Sequence, residues 1–185
     1  MTRLLVLDTE TGGLNPETDA LLSVGLVDWQ DGLVLRQEEI LIDAEHLACD
    51  PKALEVNGID LDLHHGYSVT RKEAAERIRD FSAPMGRPWV AGHNVQFDIG
   101  FVRRLFAPEV LRRTFSHRVM DTMQVLGFLG HAGLIPDGIG KLDQAMAHFG
   151  LSVSEGKRHT ALADALVTAE LYGRCLELLR AKVAA

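Results

Sequence analysis

"VLDTETGG", Val6 to Gly13, is the stretch on which the reading of this chain turns. The apolar run before the acids, Leu4-Leu5-Val6-Leu7, has the unbroken character of a strand buried on both faces. It stops in two carboxylates one residue apart. Alternation along a strand puts Asp8 and Glu10 on one face and Thr9 on the other. Two neighbouring carboxylates repel each other, and burying them is costly unless a positive partner meets them. A hard divalent cation such as Mg²⁺, which prefers oxygen ligands, is a natural partner. An Asp-x-Glu triplet alone is a weak signal, because composition makes it common.

The chain has 185 residues, enough for one domain with a core of its own. It is 46% hydrophobic and 24% charged, as soluble globular proteins are. The apolar runs are too short to cross a bilayer, so no membrane partner is expected. The N-terminal apolar stretch is too brief for a signal peptide and is interrupted by an acid. Cys49 and Cys175 lie far apart with no C-x-x-C spacing, which predicts two unrelated reduced thiols and a cytoplasmic protein. A net charge of −7 argues against coating nucleic acid by charge alone, unless several of the acids are metal ligands. The bases are uneven. Arg103, Arg104, Arg112, Arg113 and Arg118 crowd one segment, as a solvated helix face or as a phosphate-facing patch.

Outward from the opening strand, Leu21–Val27 and Leu33–Ile42 read as a hairpin turning at Asp31-Gly32. Pro51–Asn57 reads as a short helix stopped by Gly58, and Arg71–Phe81 as a longer one ended by Pro84 and Gly86. Pro88–Gly92 is a further buried strand. Val95, Ile99, Val102 and Phe106 then recur at helical spacing, with Asn94 as N-cap. Arg118–Asp121 reads as a last short strand, and Asp121 with Gln124 as a capping box. A Gly-rich loop follows, and a final helix runs from Thr160 to Leu179. No repeat, low-complexity segment or linker interrupts the pattern. Strands followed by helices with interleaved strands predict an α/β domain on a mixed sheet, residues 1–185 forming one unit.

Two later stretches carry chemistry. "GHNVQFDIGF", Gly92 to Phe101, places Asp98 in the first turn of a helix, where an acid also serves the helix dipole. "HTALADA", His159 to Ala165, places an imidazole five residues before Asp164 at the start of the last helix. Each is unremarkable alone. Four acids and a histidine together are the inventory of phosphoryl chemistry. Two cations held by carboxylates clamp the attacking and leaving oxygens, and a neutral His takes the proton from the attacking water. Other features are set aside. "GLSVSEGK" and "PDGIGK" fail the phosphate-loop pattern, His64-His65 reads as a solvated loop pair, and Phe97 and Phe101 read as core.

"DTETGGL", "HNVQFD" and "HTALADA" resemble, in order, the three motifs of the DEDD superfamily of 3′→5′ exonucleases. Thr160 stands where the tyrosine branch has its tyrosine, so the resemblance is to the histidine branch. It implies a ribonuclease H-like fold, a mixed central sheet flanked by helices. It also implies two Mg²⁺, replaceable by Mn²⁺, with Asp8 bridging both. Glu10 and Asp164 would complete one metal site, Asp98 would serve the second through water, and His159 would be the general base. Thr9, Thr11, Leu14 and Asn94 lie where the family contacts the terminal nucleotide, with Leu14 wedged against its base. Gly12 departs from the family's usual threonine.

The resemblance implies hydrolysis of terminal phosphodiesters at the 3′ end of single-stranded DNA or RNA, in proofreading or repair. The rivals are a small ribonuclease of short RNA or RNA ends, and a non-catalytic nucleic-acid adaptor. The partner is a single-stranded 3′ end, with a DNA polymerase and a second copy of the chain left open. No docking segment for a polymerase is evident beyond the last helix.

Overall fold

The computed structural model describes residues 3–153 and 160–183. Five strands among them form one sheet: β1 (Arg3–Thr11), β2 (Leu21–Gln30), β3 (Leu33–Leu41), β4 (Trp89–Gly92) and β5 (Val119–Asp121). Their order is β3-β2-β1-β4-β5. The β1–β2 and β2–β3 pairs are antiparallel, the β1–β4 and β4–β5 pairs parallel. This is the mixed sheet that the pattern predicts. Leu4, Leu5, Val6 and Leu7 are all but fully buried, each contributing about 1.5–3 kcal/mol, because helices cover both faces.

Parity along β1 sorts the core. Leu5 and Leu7 pack with α3 (Arg71–Ser82) and α4 (Val95–Val102), through Ile78, Phe81, Val95 and Phe101. Leu4 and Val6 face the long helix α8 (Ala161–Val183), through Ala165, Ala169 and Tyr172. Small residues on α8 let it lie close to the sheet, and Tyr172 meets Trp29 edge-on, with ring centroids 5.3 Å apart. A third apolar cluster joins α8 to α6 (Thr122–His131) and α7 (Leu142–Phe149). No helix of the described residues is long and apolar enough to cross a membrane.

The remaining helices are short: α1 (Pro51–Asn57), α2 (Leu61–His65) and α5 (Pro108–Thr114). The helix predicted through Phe106 ends as α-helix at Val102 and tightens into a 3₁₀ turn over Arg103–Leu105. His64-His65 is not a solvated loop pair. The two close α2, where buried His64 meets the Ile42 carbonyl through Nε2 at 2.9 Å and His65 pairs with Asp43. Phe97 and Phe101 are core as predicted.

A buried ion cluster holds the far end of the sheet. Asp28 on β2 is fully buried and accepts from Arg3 at 2.7 and 2.8 Å and from Arg36 at 2.8 and 3.1 Å. Burial alone would raise its carboxyl. The two guanidinium groups overturn that and leave its pKa below the usual range. Arg36 also donates to the Phe81 carbonyl and lies over the Phe81 ring, tying β3 to α3.

Candidate active site

The strand alternation expected of the opening stretch is what β1 presents. Asp8 and Glu10 turn toward α8, where they meet Asp164. One carboxylate oxygen from each of the three lies within 4.8 Å of the others. Asp8 and Glu10 are partly exposed and Asp164 is nearly buried. Three hard oxygen donors on a rim open to solvent fit a divalent cation of the Mg²⁺ or Mn²⁺ kind.

Thr9 turns the other way and donates through Oγ1 to Oδ1 of Asp98 at 2.7 Å. Asp98 stands in the first turn of α4 and is 3% exposed. Burial pushes its carboxyl up to about 7, against the pull of the Thr9 hydroxyl and nearby backbone amides and with a push from Asp121. The predicted four acids are thus divided. Asp8, Glu10 and Asp164 come together, while Asp98 is not in that group and is held through Thr9. His159 lies outside the described residues. Thr160, beside it, opens α8 by accepting from the Ala163 amide through its hydroxyl.

Two residues that sequence reasoning passed over set the approach of α8. In register, Asp8 faces Gly25 on β2, and Gly25 faces Glu39 on β3. A Cβ on Gly25 would stand 2.2 Å from the Ala161 carbonyl oxygen and 2.4 Å from the Leu162 nitrogen. Only glycine lets the first turn of α8 descend there. Glu39, on the other side of Gly25, accepts from the Leu162 amide at 3.3 Å, a carboxylate at a helix N-terminus. The sequence signal was present, a glycine inside an otherwise apolar strand.

The turn after β1 is built from its glycines. The Gly12 amide donates to the Ala20 carbonyl, and its own carbonyl accepts from the Asp50 amide at 2.6 Å. A Cβ on Gly12 would meet the Ala48 carbonyl at 2.6 Å and Cys49 Sγ at 2.9 Å. The segment before α1 therefore occupies the place that the family's threonine would need. Thr11 is buried and gives its hydroxyl to the Gly13 carbonyl at 2.7 Å, so that group serves the turn. Leu14, by contrast, is 84% exposed at the tip.

Asn94 occupies the N-cap position of α4, but its side chain makes no capping bond. Its backbone is left-handed, at φ 63°, and its amide donates to Asp121 at 3.0 Å. Asp121 also caps α6 through the Met123 amide at 3.0 Å. Asp121 thus caps α6, but through Met123 rather than as the predicted box with Gln124, and the same carboxylate pins the turn that leads to Asp98. His93 braces this turn from behind, with Nδ1 at the Thr122 hydroxyl and Nε2 at the Gly140 carbonyl. Burial lowers its pKa.

Comparison with known proteins agrees with this fold. A ribonuclease T of Shewanella frigidimarina is 30% identical over 96% of this chain and 83% of its own. A PolC-type DNA polymerase III of Thermotoga petrophila is 26% identical over 95% of this chain. The chain spans 12% of that polymerase's length. Among solved structures, E. coli exonuclease I in complex with a dT13 oligonucleotide superposes with a TM-score of 0.80 at 18% identity. That likeness covers 100% of this chain and 43% of the other, and it is one of fold. The model of the exonuclease family of ribonuclease T type matches residues 5–172, and the chain belongs to that family.

Proposed function

We propose that this chain, as one domain, is a divalent-metal-dependent 3′→5′ exonuclease of single-stranded nucleic acid that releases nucleoside 5′-monophosphates. The observation that carries the reading is the convergence of Asp8, Glu10 and Asp164 within 4.8 Å of one another. A folded adaptor without chemistry would have no need to gather three carboxylates against their mutual repulsion. The family membership and the oligonucleotide-bound exonuclease I support it further.

Asp8, Glu10 and Asp164 would hold one Mg²⁺ or Mn²⁺, and Asp8 with Asp98, through water, a second. The cations would neutralise the scissile phosphate and stabilise the departing 3′ oxygen. His159 takes the proton from the attacking water. Leu14 wedges against the terminal base, and Asn94, exposed at the start of α4, contacts the terminal nucleotide together with Thr9 and Thr11. A cytoplasmic setting suits its two free thiols, Cys49 and Cys175.

Trimming of RNA 3′ ends is a second reading, favoured by the ribonuclease T relative, 83% of whose length this chain spans. A polymerase partner is suggested by the PolC-type relative. The test is a time course on 3′- and 5′-labelled DNA and RNA, with and without Mg²⁺. The expected result is early mononucleotide from the 3′ label and a shrinking ladder from the 5′ label, in Mg²⁺ only. No release from any 3′ end in Mg²⁺ or Mn²⁺ overturns the proposal.

A further inference from the structure

A groove runs between α3 and the segment from the 3₁₀ turn at Arg103–Leu105 into α5. It consists of two depressions of about 370 Å³ each, which share Arg79 and Val110. Its walls carry Arg71, Lys72, Arg79, Arg104 and Arg113 against a single lining acid, Glu76. The whole chain has 26 acidic and 19 basic residues, so five cations to one carboxylate run strongly against composition. The partners of these cations are weakly held. Arg79 meets the exposed Asp80 at 3.1 Å, and Arg104 meets Glu17 at 2.9 Å, both between solvent-exposed groups. Such pairs are worth about 0–1 kcal/mol and exchange readily for another anion. The floor includes the partly buried ring of Phe106.

One end of the groove reaches the turn that follows β1, the strand of Asp8 and Glu10. Glu17, which Arg103 and Arg104 both approach, lies in the turn after β1, three residues beyond Leu14. Arg71 reaches back from α3 to the Arg104 carbonyl at 3.4 Å. From Arg71 to Arg79 the α3 wall runs about 12 Å, enough to face several phosphates of one strand.

We infer that this groove is the track for the upstream, 5′-ward backbone of a single-stranded polynucleotide whose 3′ end lies at Asp8 and Glu10. Glu17 is the placeholder that the first upstream phosphate displaces from Arg103 and Arg104. The inference rests on the exonuclease reading for its direction, and it adds a length preference. Strands long enough to enter the groove bind more tightly than those that fill only the terminal subsite.

The test measures affinity of the full chain, in chelator, for a fluorescent 20-nucleotide strand and for a trinucleotide, as salt is varied. With Arg79→Ala, Arg104→Ala and Arg113→Ala combined, affinity for the long strand should fall by about 10–100-fold at moderate salt. The slope of log K against log salt should shrink by about 2, three contacts at roughly 0.7 each. Trinucleotide affinity should change far less. Glu17→Gln should tighten the long strand. The arginines are exposed, so the variants should keep their melting temperature, and an Arg→Lys triple variant should restore most of the binding. Unchanged long-strand affinity and slope overturn the groove. So does an equal loss toward polyglutamate, which would mark a surface for acidic protein. If wild type releases nucleotides while its affinity ignores length, the groove alone fails. If it releases none from any 3′ end, the reading beneath it fails.

Discussion

Thr9 donates a hydrogen bond from its hydroxyl to Asp98 at 2.7 Å, on the face of β1 opposite Asp8 and Glu10. The strand thus serves two acids directly and a third through its back. Burial holds the Asp98 carboxyl up to about 7. A raised carboxyl favours the protonated fold, so its contribution is full below the ordinary carboxylate range and is lost as pH climbs through 7. Asp98→Asn should therefore melt several degrees above wild type at pH 8 in chelator, with the gap closing toward pH 4. A pH-independent gap refutes the assignment. Activity should fall sharply in the same variant.

Asp8→Asn should abolish nucleotide release while leaving the circular dichroism spectrum intact, since it relieves repulsion between Asp8, Glu10 and Asp164. Mg²⁺ should raise the melting temperature of wild type and leave that of the variant unmoved. His159→Ala should slow turnover by about 10²–10⁴-fold, and the wild-type rate should climb with pH as the base loses its proton. A rate flat with pH would remove His159 from that role.

Gly25→Ala tests the descent of α8. The added methyl would stand 2.2 Å from the Ala161 carbonyl, so the helix start must lift. Overpacking of this kind costs about 1–3 kcal/mol, and displacement of Asp164 should cost about 10²-fold in rate. A variant with wild-type kcat would show that the helix start is not held there.

Asp28→Ala should destabilise the fold by about 1–3 kcal/mol, because it removes the charge-assisted hydrogen bonds of Arg3 and Arg36, whose guanidinium groups stay partly open to solvent. The Asp28 pKa is lowered in the fold. Its contribution is present above the unfolded carboxylate range and disappears as pH falls through the lower folded value. Wild type should lose stability steeply below about pH 4, and the variant much less so, as measured by urea unfolding across pH.

Leu14 is 84% exposed, so the fold does not hold it. Leu14→Ala should leave the melting temperature unchanged and raise KM about tenfold, the worth of one lost apolar contact. A lowered melting temperature would mean that the side chain packs in solution.

Much of this was legible because it follows from periodicity. Two-residue alternation placed Asp8 and Glu10 together and Thr9 behind them, and the long apolar period placed Asp164 on α8. What was not legible depends on contacts distant in sequence. Gly25 looked like a weak residue in a strand until Ala161 came to rest on it. Asn94 has the identity of an N-cap and the backbone of a turn, because Asp121, 27 residues on, takes its amide. Helices α2, α5 and α7 were missed because five to eight residues hold too few turns to show a period. His64 was misread because its burial depends on the Ile42 carbonyl.

The trio of carboxylates has its members at the first strand and the last described helix, joined across a glycine notch. A chain in which that helix has not docked carries Asp164 apart from Asp8 and Glu10. The contact that seats the helix in the Gly25 notch is therefore also the one that assembles the trio, and on the proposed reading folding itself is the switch that arms it.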